Sequence, residues 1–123
     1  METVRKRIIL IEDDDINQGV ISSYVAKDYD VDVIPTGEEA IEAVKSTSYD
    51  IILLDINLGE GIDGLKTLEM IREIKGYSDI PVVAVTAYAL PGDRERMLNA
   101  GCDFYIAKPF YKRELLEILE KIK

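Results

Sequence analysis

The sequence predicts a doubly wound α/β domain with a five-stranded parallel sheet. Three observations lead there. Short aliphatic runs recur along the 123-residue chain, helical patterns fill the intervals between them, and no interval has the two-residue turn of a hairpin. Parallel neighbours need long right-handed crossovers, and helices on both faces of one sheet satisfy that demand.

The strands come first. Ile8–Ile11, Ile51–Leu54 and Val82–Val85 are uninterrupted aliphatic runs, as expected of central strands buried on both faces. Asp30–Ile34 alternates polar and apolar residues, which suits an edge strand, and a last strand spans roughly Phe104–Ala107. The first helix runs from about Ile16 to Lys27, with Ile16, Val20 and Tyr24 at i, i+4, i+8, and Asp15 as its expected cap. The second opens at Thr36, with Glu39 three residues on as a capping box and Ala40, Ile41 and Val44 as its apolar stripe. The third carries Leu65, Leu68, Ile71 and Ile74. The fourth follows Pro91 and ends at Gly101, a C′ glycine; the last carries Leu115, Ile118, Leu119 and Ile122.

Size and composition agree with a single domain over residues 1–123, its core at about 6–122. A chain of 13.9 kDa buries about two-thirds of its unfolded surface, enough to stand without metal or disulfide support. Net charge is −9, which argues against direct nucleic-acid binding. One cysteine cannot form an internal disulfide, and no aliphatic run approaches the roughly 20 residues of a membrane span. A cytoplasmic protein with no membrane partner is expected. Histidine is absent, so a histidine triad, a histidine metal site and a phosphohistidine on this chain are excluded.

Five strands in this class most often take the order 2-1-3-4-5, which is the flavodoxin-like one, and ligands bind beyond the carboxyl ends of the strands at the switch point. Strand 1 ends in Glu12-Asp13, with Asp14 and Asp15 after them; strand 3 ends in Asp55, strand 4 in Thr86 and strand 5 in Lys108-Pro109. Carboxylates gathered from adjacent strands repel one another unless a cation sits among them. An all-oxygen set suits a hard ion such as Mg²⁺. A hydroxyl and an ammonium facing that centre describe a pocket for a phosphoryl group, with the central aspartate as its covalent acceptor.

The stretches IILIEDD, DIILLDINL, IPVVAVTAYA and GCDFYIAKPF stand in an order and spacing that resemble a response-regulator receiver domain, from about residue 4 to the end. The "TAYALPGDRERMLNAGCDFYIAKPF" stretch is most similar to receivers of phosphorelays and hybrid kinases. The resemblance implies Asp55 as phosphoacceptor, and Mg²⁺ on Asp13, Asp55 and the main-chain carbonyl of Asn57, with Glu12 acting mainly through water. Mn²⁺ could substitute. It further implies Thr86 and Lys108 on the phosphoryl oxygens, Tyr105 as an aromatic that changes rotamer with phosphorylation, and a cis bond between Lys108 and Pro109. Tyr88, two residues after Thr86, is expected to slow dephosphorylation by hindering water. The implied partners are a histidine kinase or histidine phosphotransfer domain and a downstream protein target, which would meet a face made by helix 4, strand 5 and helix 5. With no segment after the fifth helix, output by protein contact or phosphate relay is expected. One departure stands out. After strand 3 the chain reads Asp55-Ile-Asn-Leu-Gly-Glu-Gly-Ile-Asp-Gly64, without the family's usual proline and with one added residue, which puts the shape of the Leu58–Gly64 loop in question.

Blander roles compete with these. Asp14 and Asp15 are assigned to capping, Cys102 to a small buried hydrophobe and Met97 to the core. Gly59, Gly61 and Gly64 fit G-x-G-x-x-G, but Glu60 and Asp63 put negative charge where a pyrophosphate would lie, and Asp79 precedes a strand instead of ending one. They are read as turn formers. Two other functional classes share the fold. An aspartate-nucleophile phosphatase needs a second acid two residues after Asp55, where Asn57 stands. A flavodoxin-like cofactor module needs a phosphate loop after strand 1, where this chain has four acids.

Overall fold

The computed structural model describes residues 5–58, 61–87 and 92–122. Its elements are β1 (Arg7–Ile11), α1 (Asp15–Val25), β2 (Asp30–Ile34), α2 (Gly37–Ser46), β3 (Ile51–Asp55), α3 (Gly64–Arg72), β4 (Val82–Thr86), α4 (Asp93–Asn99), β5 (Phe104–Ala107) and α5 (Lys112–Glu120). The five strands are parallel and ordered β2-β1-β3-β4-β5, the order expected of the flavodoxin-like arrangement.

The aliphatic runs are explained by two cores. Because side chains alternate across a pleated strand, consecutive residues feed opposite faces. Ile9, Ile52, Leu54, Val82 and Ala84 pack with Ala40 and Val44 of α2, Leu68 and Ile71 of α3, and Met97 of α4. Ile8, Leu10, Ile51, Leu53, Val83 and Val85 pack with Ile21 and Val25 of α1 and Leu115 and Leu119 of α5. A strand buried on both sides tolerates no polar residue in either register, hence unbroken Ile, Leu and Val. Cys102 is buried beside the first core, and burial pushes its thiol up to about 11.

Several local expectations need correction. The cap of α1 is Asp14, whose carboxylate accepts the Asn17 N–H at 2.8 Å; Asp15 is already inside the first turn. The buried face of α1 is Ile21 and Val25, one position on from the Ile16–Val20–Tyr24 row. Ile16 is 76% exposed and Val20 41%, because one residue is a 100° turn and the sheet contacts only a narrow stripe of the helix. Of that row Tyr24 packs, edge-on against Phe110. At α2, Thr36 accepts the Glu39 N–H, but the Glu39 carboxylate returns to the Thr36 hydroxyl and not to its backbone, so the box is half made. α3 ends at Arg72 and α5 at Glu120, leaving Ile74 and Ile122 just past their helices yet packed against the cores. The fourth helix does close on Gly101, whose φ of +101° places it in the left-handed region. Among the described residues no helix is long and apolar enough to cross a membrane.

Candidate functional site

β3 and β4 each run one residue past their aliphatic stretch. Those last residues are Asp55, 3% exposed, and Thr86, 2% exposed. A polar residue can end a buried strand only where its side chain finds partners. Here the partners come from the neighbouring strand ends. Glu12 follows β1, and its N–H donates to the Ile34 carbonyl, which extends the ladder one step and leaves the carboxylate wholly buried. Lys108 follows β5, held by its own N–H on the Thr86 carbonyl at 2.7 Å, and its bond to Pro109 is cis.

The side chains converge. Carboxylate oxygens of Glu12, Asp13 and Asp55 lie within 4.8 Å of one another, with Asp13 the exposed member. The Lys108 ammonium sits 2.7 Å from Glu12 Oε1 and 3.5 Å from Asp55 Oδ2. Burial first, and then the hydrogen bond and charge of Asp55, push Glu12 up to about 7 against the pull of Lys108. For Lys108 burial works against the charged form, but the Glu12 hydrogen bond and the Asp55 charge outweigh it and its pKa rises. Three clustered acids beside one ammonium are short of positive charge, which agrees with the upward direction of the Glu12 pKa. An all-oxygen donor set with one exposed member fits a hard divalent cation that keeps several waters.

Asn57 is drawn in as well. Its N–H donates to Asp55 Oδ1 at 2.9 Å and its side-chain amide donates to Thr86 Oγ1 at 3.1 Å. The amide contact escaped the sequence reading, which considered only this residue's carbonyl. So did Gln18, whose amide donates to the Glu12 carbonyl at 2.6 Å from the first turn of α1. Tyr105 is half-buried and pairs with Ala84. Thr86 follows two positions later on β4, so the pleat puts both side chains on the same face of the sheet. Tyr88 lies outside the described residues.

The loop after β3 is described at its two ends. Gly61 has φ +75°, and the next residue, Ile62, donates its N–H to Glu38 Oε2 at 3.1 Å, which ties the loop to α2. Gly64 opens α3 against the strand end, where an added Cβ would stand 2.5 Å from the Asp55 carbonyl oxygen. Asp63 caps the helix through the Lys66 N–H. Gly61 and Gly64 are thus a turn former and a close-approach residue; Gly59 lies outside the described residues.

The model of the response regulator receiver domain matches residues 8–120. The chain belongs to that family. This receiver domain is 32% identical over 116 residues to the polar-differentiation response regulator DivK of Brucella ovis, covering 94% of each chain. It is 36% identical over 93 residues to the signal transduction histidine-protein kinase BarA of Escherichia coli, a match spanning 76% of this chain and 10% of that protein. Among solved structures it resembles the receiver domain of the sensor histidine kinase PA1611 of Pseudomonas aeruginosa, with TM-score 0.88, 37% identity and coverage of 97% and 98%. That structure has a magnesium ion coordinated in its active site cleft. The chemotaxis protein CheY4 of Vibrio cholerae shares the fold, with TM-score 0.91 at 20% identity over 98% of this chain and 100% of that one. The receiver domain is a signalling module of two-component systems, not an enzyme of the turnover kind.

Proposed function

We propose that this receiver takes a phosphoryl group onto Asp55 from a phosphohistidine of a partner chain, a histidine kinase or a histidine phosphotransfer domain. The observation that carries the reading is the gathering of the Glu12, Asp13 and Asp55 carboxylates within 4.8 Å of one another, with the Lys108 ammonium against two of them, Glu12 and Asp55. An Asp55 carboxylate oxygen attacks phosphorus; the O–P bond forms as the N–P bond breaks, and the electron pair stays on the partner's imidazole nitrogen. Lys108 would face the charge that gathers on the phosphoryl oxygens, and the Thr86 hydroxyl would donate to one of them. Asp13, Asp55 and the Asn57 carbonyl would hold Mg²⁺, with Glu12 acting through water, and the ion when bound would neutralise phosphoryl charge. Mn²⁺ has the same oxygen preference and could stand in. Water attack on the same phosphorus returns the carboxylate and releases phosphate.

The switch reading follows from the shared face of Thr86 and Tyr105. When the Thr86 hydroxyl moves toward the phosphoryl group, Tyr105 turns into the space behind it, and the α4-β5-α5 surface changes for a downstream protein. The whole chain serves as one cytoplasmic receiver domain in this reading. Labelling by radioactive acetyl phosphate tests it. Wild type should acquire a hydroxylamine-labile label, and Asp55→Asn should acquire none, because an amide is a poor nucleophile and lacks the charge that binds the ion. Undiminished labelling of the variant would move the acceptor elsewhere.

A further inference from the structure

Thr86 has to move if the site works as proposed, and the structure shows one contact that the movement would stretch. Asn57 reads the acceptor with its backbone, N–H to Asp55 Oδ1 at 2.9 Å, and grips the switch hydroxyl with its side chain, Nδ2 to Thr86 Oγ1 at 3.1 Å. The two residues are 29 positions apart; Thr86 ends β4, and Asn57 lies in the loop two residues past the end of the neighbouring β3. Thr86 is buried, so stretching a hydrogen bond there carries more consequence than it would in water. Asn57 itself is exposed and stands at the rim of a pocket of about 280 Å³ lined by Ile56, Asn57, Leu58, Asp63, Leu65 and Arg96. An exposed side chain beside a pocket is less confined than the buried hydroxyl it holds.

We propose that the Asn57 side chain is a latch that holds Thr86 in its unphosphorylated setting and is released by a phosphoryl group on Asp55. The proposal rests on the reading of Asp55 as phosphoacceptor. Thr86 accepts from the amide with its oxygen and would donate its O–H to a phosphoryl oxygen, so the two bonds compete only through position: the charge-assisted bond, roughly twice as strong as a neutral one, draws the hydroxyl away from the amide. The phosphoryl group can then win, but only by the difference between the two settings. The latch sets a threshold: without it the switched conformer of the unmodified protein is more populated and the phosphoryl group has less work to do. Asn57 is a positioning residue in this scheme, acting on Thr86 and through it on Tyr105.

The test compares wild type with Asn57→Ala, using beryllofluoride with Mg²⁺ as the phosphoryl mimic and NMR of the Thr86 methyl and the Tyr105 ring as the readout. The loss of one neutral hydrogen bond corresponds to a population change of about threefold to tenfold. In the mimic-free variant both signals should move along the line joining the free and saturated wild-type positions. Beryllofluoride affinity should rise by the same factor, because the apparent constant scales with the competent fraction. On a Thr86→Val background, which has no hydroxyl to hold, Asn57→Ala should add no further movement. Thermal melting verifies that the variants are folded; Asn57 is an exposed loop residue, and little loss is expected. Variant signals that remain at wild-type positions, or leave the line, with unchanged beryllofluoride affinity, overturn the latch while the phosphoacceptor reading stands. A wild type that does not respond to beryllofluoride at all overturns both.

Discussion

Ion binding at the carboxylate cluster should depend on pH through Glu12. Its carboxyl is wholly buried, and burial followed by the Asp55 contact raises it to about 7 from an ordinary 4.5. If the site takes a divalent ion with Glu12 ionised, the bound proton must leave first. For one proton with a pKa of about 7, the apparent dissociation constant scales as 1 + 10^(7 − pH), so Mg²⁺ affinity should fall about tenfold from pH 8 to pH 6. At pH 7 about half a proton should be released per ion. A Glu12 at its ordinary value would give a nearly flat profile over the same range. The assay is isothermal titration of Mg²⁺ at three pH values, each in two buffers of different ionisation enthalpy, at constant ionic strength. Glu12→Gln cannot ionise and should flatten the profile. The stability consequence has a definite sign. Folded Glu12 holds its proton more tightly than unfolded Glu12, so its contribution is full below pH 4.5 and is lost as pH rises through about 7. The ion-free protein should lose melting temperature across that window, and Mg²⁺ should restore more of it at pH 8 than at pH 6. A pH-independent Mg²⁺ affinity with no proton release would refute the coupling. A melting temperature higher in chelator than in Mg²⁺ would refute the cation site itself.

Three further outcomes are expected. Gly64→Ala puts a methyl group 2.5 Å from the Asp55 carbonyl oxygen and 2.7 Å from Ile56 Cα, backbone atoms that cannot step aside cheaply. It should cost about 1–3 kcal/mol in urea unfolding and slow acetyl phosphate labelling of Asp55, since relief must come from the strand end or the start of α3. Arg72→Met keeps the alkyl stem but removes donors to the Ile80 and Gly101 carbonyls and the ion pair with Asp103, which together tie the α4–β5 turn to the start of β4. A loss of about 2 kcal/mol by denaturant unfolding is expected, with m unchanged. Asp14→Ala should cost about 1 kcal/mol of stability while Asp15→Ala costs a few tenths, and equal losses would contradict the cap seen at Asn17.

How much of this was legible in advance depended on whether the signal was local. The three central strands were readable because burial on both faces leaves no position for a polar residue before the strand end, and Ile51–Leu54 and Val82–Val85 are buried throughout. The order of the sheet followed from the arrangement that five-stranded doubly wound sheets most often take, not from any residue. The face of α1 was not readable, because the Ile16–Val20–Tyr24 row and the Ile21–Val25 pair are both apolar and differ by one turn of 100°. Only contact with β1 and α5 decides between them. Asp14 and Asp15 are likewise equal as letters, and the cap is set by where the chain leaves β1. The lengthened loop after β3 was opaque for a related reason: its tie to α2 is a carboxylate on Ile62 N–H, a partner 24 residues away.

The site divides along the same line. Asp55, Thr86, Glu12 and Lys108 end consecutive strands or follow them directly, so knowing the fold class was enough to gather them. The geometry that could regulate them was hidden, because it comes from side chains crossing between loops and strand ends. Asn57 illustrates the difference. Its distance from Asp55 along the chain is two residues and could be read at once, but the hydrogen bond to Thr86 spans 29 and appears only when β3 and β4 lie side by side. Asp55 and Thr86 are strand-terminal and buried, and the sheet gives their backbones little freedom. Asn57 is exposed and bordered by a pocket. A rigid pair bridged by one adjustable residue is a sensible place for a chemical event on one side chain to be felt by another, since the adjustable member can give way without disturbing the frame that holds the other two.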